Sequence, residues 1–220
     1  VALSLEGKDS AALLENIQTE NQPQQLAPRE QNGACSNGQL IVMQTDAQAQ
    51  RFELWAHTAQ VKKVWNALAA AHTTSASLWR LRNIRDGIGH IEASSQNLFI
   101  PQMLNFQYTG FVHFKKGCYT GQEIVARMQY LGKLKRHMFR YDVAAGVVPL
   151  AGAELMIDGR EQSIGNIVSA VAIGVNHYEV LAVITNDAMN DASIHIRADQ
   201  LRGFRRLELP YAINIGSDKN

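Results

Sequence analysis

AELMIDGREQSIGNIVSAVAIGVNHYEVLAVIT, residues 153–185, is the most regular stretch of the chain. Short runs rich in Val, Ile, Ala and Leu alternate with small polar breaks, which is the pattern of strands separated by turns. Asp158-Gly159 stands between two of the runs, and Asp-Gly in that position signals a tight hairpin, because glycine reaches the positive φ such a turn requires. Two more β-rich runs follow, SIHIRA at 193–198 and FRRLELPYAI at 204–213. Strands at this spacing predict a small antiparallel barrel or sandwich over residues 145–220, entered after Gly146 and Pro149.

The other end of the chain mixes periods. VALSL (1–5) alternates as a strand, and AALLENI (11–17) puts Leu13, Leu14 and Ile17 on one helical face with Ser10 as its cap. GQLIVMQ (38–44) and RFELWAH (51–57) read as a strand pair. Thr58 is placed to cap a helix carrying Val61, Val64, Trp65 and Leu68 at i, i+3, i+4, i+7. SLWRLRNI (77–84) reads as a further strand. The order β-α-β-β-α-β predicts a ferredoxin-like module over residues 1–83, and so an α+β protein. Residues 84–114 are rich in glycine and polar groups, with no clear period. A short helix and a basic strand then run to about Asp142.

Composition narrows the classes. Apolar residues are 46% of the 220 and charged residues 19%, an ordinary globular balance that excludes a disordered or fibrous chain. No apolar run approaches the roughly 20 residues a spanning helix needs, so no membrane role is expected. No basic and then apolar leader opens the chain at Val1. The two cysteines, Cys35 and Cys118, form no CxxC pair. They argue against a disulfide scaffold, a zinc finger or a self-contained iron–sulfur site, and fit the reducing cytoplasm of a bacterial-type cell. The net charge of +1 is an average: residues 115–140 hold seven Lys/Arg and one acid, while the segments on either side are net acidic. A basic island of this kind points to an anionic partner.

Within the island lies KKGCYTGQEIVAR, residues 115–127. Thr120 with Glu123 three places on has the form of a capping box, which predicts a helix from Gly121. Cys118 would then sit beside the positive end of a helix dipole, with Lys115 and Lys116 next to it. That setting favours a nucleophilic or ligand-contacting sulfur. Gly117 and Gly121 allow close backbone approach, and the free amides at a helix start suit a carboxylate or phosphate. Cys35, in a polar stretch, reads as structural. Arg127 stands at i+4 from Glu123, where the two can pair. Lys133, Lys135, Arg136, His137 and Arg140 follow on a strand of imperfect alternation and could bind a polyanion such as RNA backbone or a polyglutamate tail. His113, His137 and Cys118 lack metal-ligand spacing, so no metal site is expected.

KKGCYTGQEIVAR followed by GKLKR (132–136) resembles the signature of the YgfZ-type folate-binding proteins, relatives of the T-protein (aminomethyltransferase) of glycine cleavage. RNIRDGIG (82–89) and FIPQMLNF (99–106) resemble the segments that precede it. The resemblance implies a T-protein-like ring of two ferredoxin-like modules and a C-terminal β-barrel, with tetrahydrofolate or a derivative at its centre. It implies a part in assembling or repairing iron–sulfur enzymes, including those that modify tRNA, with such enzymes as partners. The family's functional cysteine falls on Cys118, and its cofactor-binding positions fall on Lys116, Gly117, Tyr119, Gly121, Gln122, Glu123, Arg127 and Arg136. Residues 84–144 would be the remainder of a second ferredoxin-like module, completed by a portion of roughly a hundred residues ahead of the point matching Val1. Gly89 stands where family members often have proline, and Arg85 where aminomethyltransferases use an acid. Two other functions remain compatible with the residues. One is a one-carbon or aminomethyl-transferring enzyme, for which Asp86 and Glu92 are the nearby carboxylates. The other is a basic RNA-binding module.

Overall fold

The structure, a computed structural model, describes residues 1–17, 26–28, 30, 32–46, 48–112, 114, 117–199 and 203–215. It is α+β, with two antiparallel sheets and two compact units, Val1–Ser75 and Ala76–Asn220.

The first unit runs β1 (Ala2–Glu6), α1 (Ser10–Glu15), β2 (Ala34–Ser36), β3 (Leu40–Gln44), β4 (Arg51–Ala56) and α2 (Val61–Ala67). Its sheet has the order β1-β4-β3-β2. β4 is antiparallel to both β1 and β3, so those two run parallel with β4 between them, the split βαβ arrangement the sequence predicts. One face of each strand is apolar. Leu5, Val42, Phe52 and Leu54 meet Leu14 and Ile17 from α1 and its end and Val64 from α2 in one buried cluster. Ile41 and Trp55, opposite each other in register, lie on the other face and are exposed. Ser10 is not the cap of α1. Asp9 holds that position without a side-chain bond, and Ser10 is the first helical residue, buried with its hydroxyl unpartnered.

The expected strand at 77–84 is instead a helix, α3 (Ala76–Arg85). Its aliphatic residues do not alternate; Leu81 and Ile84 lie three apart, one helical turn, and pack into a single cluster. Among the described residues no fourth ferredoxin strand joins β1.

The second unit continues with α4 (Gln122–Leu131), β5 (Arg136–Ala144), β6 (Glu154–Met156), β7 (Gly165–Gly174), β8 (His177–Thr185), β9 (His195–Ile196) and β10 (Phe204–Leu207). The five β runs expected after residue 145 all contain strands, and they join β5 in one curled antiparallel sheet of order β10-β5-β8-β7-β6-β9. β6 and β7 pair across the Asp158-Gly159 turn, with Gly159 at φ 76°. Both faces of the sheet are covered. Phe139, Tyr141, Val180 and Ile184 enter one cluster, while Met138, Leu181 and Val183 enter another with Ile84 and Leu104. This explains the imperfect alternation of the basic strand and the unbroken apolar run of β8: a strand buried on both sides has no polar side to show.

At Gly165 the β7 backbone passes so close to the Val183 carbonyl that an added Cβ would collide with it. Gly165→Ala should therefore lower stability by about 3 kcal/mol, at the upper end for overpacking, read as a fall in the urea unfolding midpoint. An unchanged midpoint would show that β7 and β8 are not so closely apposed.

Candidate functional site

The loop before α4 is open to solvent. Gly117, Cys118, Tyr119, Thr120, Gly121 and Glu123 are all exposed, and Gln122 is half-buried. Cys118 is a free thiol. An added Cβ at Gly117 or Gly121 would meet nothing within 4 Å, so the backbone on both sides of the sulfur faces empty space. Lys115, Lys116 and His113 lie outside the described residues.

α4 starts differently from the expected capping box. Gly121 is the cap, at φ 87°, and no side-chain cap bond is made. The left-handed turn at Gly121, a conformation glycine reaches without strain, swings the chain into the helix one residue later than Thr120 and Glu123 would dictate. Gln122 takes up the loop instead: its side-chain Oε1 accepts from the Tyr119 backbone amide at 3.3 Å, and its backbone N–H donates to the Tyr119 carbonyl at 3.1 Å. Glu123 remains in the first turn, where its charge complements the helix dipole. Arg127 is exposed on α4, and Arg136 is half-buried at the start of β5, opposite Thr185.

Residues 101–110 support this helix. Gln102 is buried, and its Nε2 donates to the Val125 carbonyl at 2.6 Å. Asn105, also buried, donates to the Met138 carbonyl at 2.7 Å and to the Tyr211 hydroxyl at 3.3 Å. Tyr211 in turn donates to the Gly87 carbonyl at 2.8 Å, and burial pushes its hydroxyl up to about 12. The amide oxygens of Gln102, Asn105 and Gln107 are buried without partners. Such unmet acceptors cost about 1–3 kcal/mol each, and three fall within residues 102–107. Sequence reasoning saw 99–106 only as a resemblance, because side-chain amides carry no periodic signal.

A second group was not foreseen. Glu179 on β8 is only 6% exposed and receives Arg85 from the end of α3 at 2.6 Å and Arg140 from β5 at 2.7 Å. Burial pushes the Glu179 carboxyl up, but the hydrogen bonds from the two guanidiniums outweigh it and hold the group below its ordinary value. Arg140 is therefore committed inside the protein. Asp142 is likewise held between His177 and Arg205.

No protein-family model matches the chain. Among curated proteins it is 30% identical to the tRNA-modifying protein YgfZ of Photorhabdus laumondii, over 94% of this chain and 65% of that protein. It is also 30% identical to the proteins of the same name from Yersinia pestis and Yersinia pseudotuberculosis, over 97% of this chain and 64% of theirs. Over nearly all of its length the chain is similar to the YgfZ-type proteins. It spans slightly under two thirds of the length of these YgfZ relatives.

The Glu179 arrangement makes stability depend on acid. Because the folded carboxyl lies below its ordinary 4.5, its contribution is in place above that pH and is lost as pH falls through the lower folded value. Acid unfolding of Glu179→Gln, followed by circular dichroism, should show a shallower loss of stability below about pH 4.5 than the unsubstituted chain. Superimposable acid profiles would remove Glu179 as the cause.

Proposed function

We propose that this chain serves tRNA modification as a cytoplasmic reduced-folate-binding protein that helps assemble or repair the iron–sulfur enzymes involved, with Cys118 as its reactive or ligand-contacting group. The observation that carries this reading is the placement of Cys118. It is a free, exposed thiol between two glycines with open space beside them, at the head of α4, in a chain that matches proteins named tRNA-modifying over nearly all of its length. Exposure is what a thiol needs to meet a second molecule, and a structural cysteine is normally buried.

The residues present suit a reduced folate. Its pteridine ring is rich in N–H donors, and the unpartnered oxygens of Gln102, Asn105 and Gln107 are acceptors of the kind such a ring requires. The exposed backbone of 117–121, with Gln122 and Glu123, would form the other part of the site, and Arg127 and Arg136 would attract the acidic tail. When bound, a reduced folate supplies a carrier for one-carbon units. The T-protein-like ring, with the curled sheet as its barrel, is the finer architecture that belongs to this proposal.

Fluorescence titration with tetrahydrofolate should give saturable binding to the full chain, retained in Cys118→Ala and weakened at least tenfold in Gln102→Ala. Cells carrying Cys118→Ala should lose iron–sulfur-dependent tRNA modification although folate still binds. Absence of saturable binding would overturn the folate part, and full modification in Cys118→Ala cells would overturn the role of the thiol. Cys118 should also react with iodoacetamide at least ten times faster than Cys35, which is half-buried in β2. Equal rates would show that the thiol is sheltered.

A further inference from the structure

The structure divides the basic island into two sets. Arg140 is spent on Glu179, and His137 is buried. Arg127, Lys133, Lys135 and Arg136 engage no acid among the described residues, and Arg127, Lys133 and Lys135 are exposed. The guanidiniums of Arg85, Arg140 and Arg205 differ, since each sits against a carboxylate, Glu179 or Asp142, that cancels much of its field. Arg80 and Arg206 also meet no acid among the described residues, Arg206 bonding Asn190 and lying over the Phe139 ring, but only residues 127–136 bring four such cations into one short segment, from α4 to the start of β5.

That segment is also fixed in place. Asn186, just beyond β8, donates from its backbone to the Lys135 carbonyl at 2.9 Å and from Nδ2 to the Leu134 carbonyl at 3.0 Å. Its Oδ1 accepts from Nδ1 of His137 at 2.7 Å, which places the imidazole proton on Nδ1. The Asn186 side chain and backbone amide thus hold three positions within four residues, 134, 135 and 137. Lys133 and Lys135, on either side of Leu134, are exposed. A flexible loop would lose entropy on meeting a charged partner, whereas a pinned one has already lost it.

We infer that Arg127, Lys133, Lys135 and Arg136 form a contact surface for the phosphate backbone of RNA, with Asn186 as its positioning residue. The partner is assigned by charge complementarity: residues 127–136 hold four cations and no acid, and the acids flanking the segment are Glu123 on α4 and Asp187, which is paired with Arg160. The mode is backbone contact without base reading, because the aromatic residues of β5, Phe139 and Tyr141, are buried and offer no stacking face. The inference goes beyond the cysteine-loop reading: it shares Arg127 and Arg136 with the proposed acidic-tail contact, while Lys133 and Lys135 belong to the RNA surface alone.

The test is binding of a tRNA transcript to the full chain between 50 and 200 mM salt. Four phosphate contacts give a slope of log K against log salt of about −3.6, a loss of roughly a hundredfold over that range. Lys133→Ala/Lys135→Ala should reduce the magnitude of the slope by about 1.8, while Lys133→Arg/Lys135→Arg and, in the first unit, Lys62→Ala should leave it unchanged. Asn186→Asp should weaken binding with the fold intact by circular dichroism. Two tRNAs of unrelated sequence should bind equally well. An unaltered slope in the double alanine variant, or no binding at 50 mM salt, would each overturn the assignment. Failure of folate binding would leave it standing, since the salt measurements involve no folate.

Discussion

Glu179 has been taken out of water on a strand buried on both faces, and a carboxylate in that position stays charged only if cations follow it in. Arg140 comes from the neighbouring strand β5, and Arg85 from the last turn of α3. One side chain thereby joins the helix to the sheet at the point where Ile84 and Leu81 dock on Met138, Leu181 and Val183. Apolar packing supplies the non-directional attraction, and the two guanidiniums fix the angle and register at which it acts. Removing one partner of such a group leaves a buried charge uncompensated, typically costing about 3–5 kcal/mol. The path of residues 84–114 toward the cysteine loop starts from this anchor.

Further along, the polar side chains of the 101–110 segment perform a similar service. Gln102 reaches α4, Asn105 reaches β5 and Tyr211, and Tyr211 closes on Gly87. The amide nitrogens are used for support, and the amide oxygens are left over. The exposed loop 117–121 thus stands on a rigid footing while presenting its own backbone to solvent, as a site that meets a second molecule must.

The exposed loop and helix start beside Cys118 follow from its neighbours, because glycines and a helix start are local facts. The start itself was misread by one residue. Thr120 and Glu123 have the spacing of a capping box, but the positive φ at Gly121 turns the chain before that box can close, and Gln122 takes over the bonding. The misreading of 77–84 has another origin. A short apolar–basic run carries no decisive period, and only the cluster formed by Leu81, Ile84 and Leu104 selects the helical face. β5 shows the converse case, where alternation fails because the strand is covered on both sides.

Sequence alone determined the α+β class, the antiparallel pairing of residues 153–185, the split βαβ order of the first unit, the family signature and the net excess of positive charge in 115–140. These rest on periodicity, turn chemistry and composition, which are properties of neighbours along the chain. Tertiary structure decided which of those charges face outward, that Glu179 claims Arg140 and Arg85, and that Asn186 holds the segment before β5. Glu179 lies 94 positions from Arg85, and Asn186 lies 52 from Leu134. Contacts at such separations follow from burial and sheet register, for which no local pattern in the chain encodes the partner.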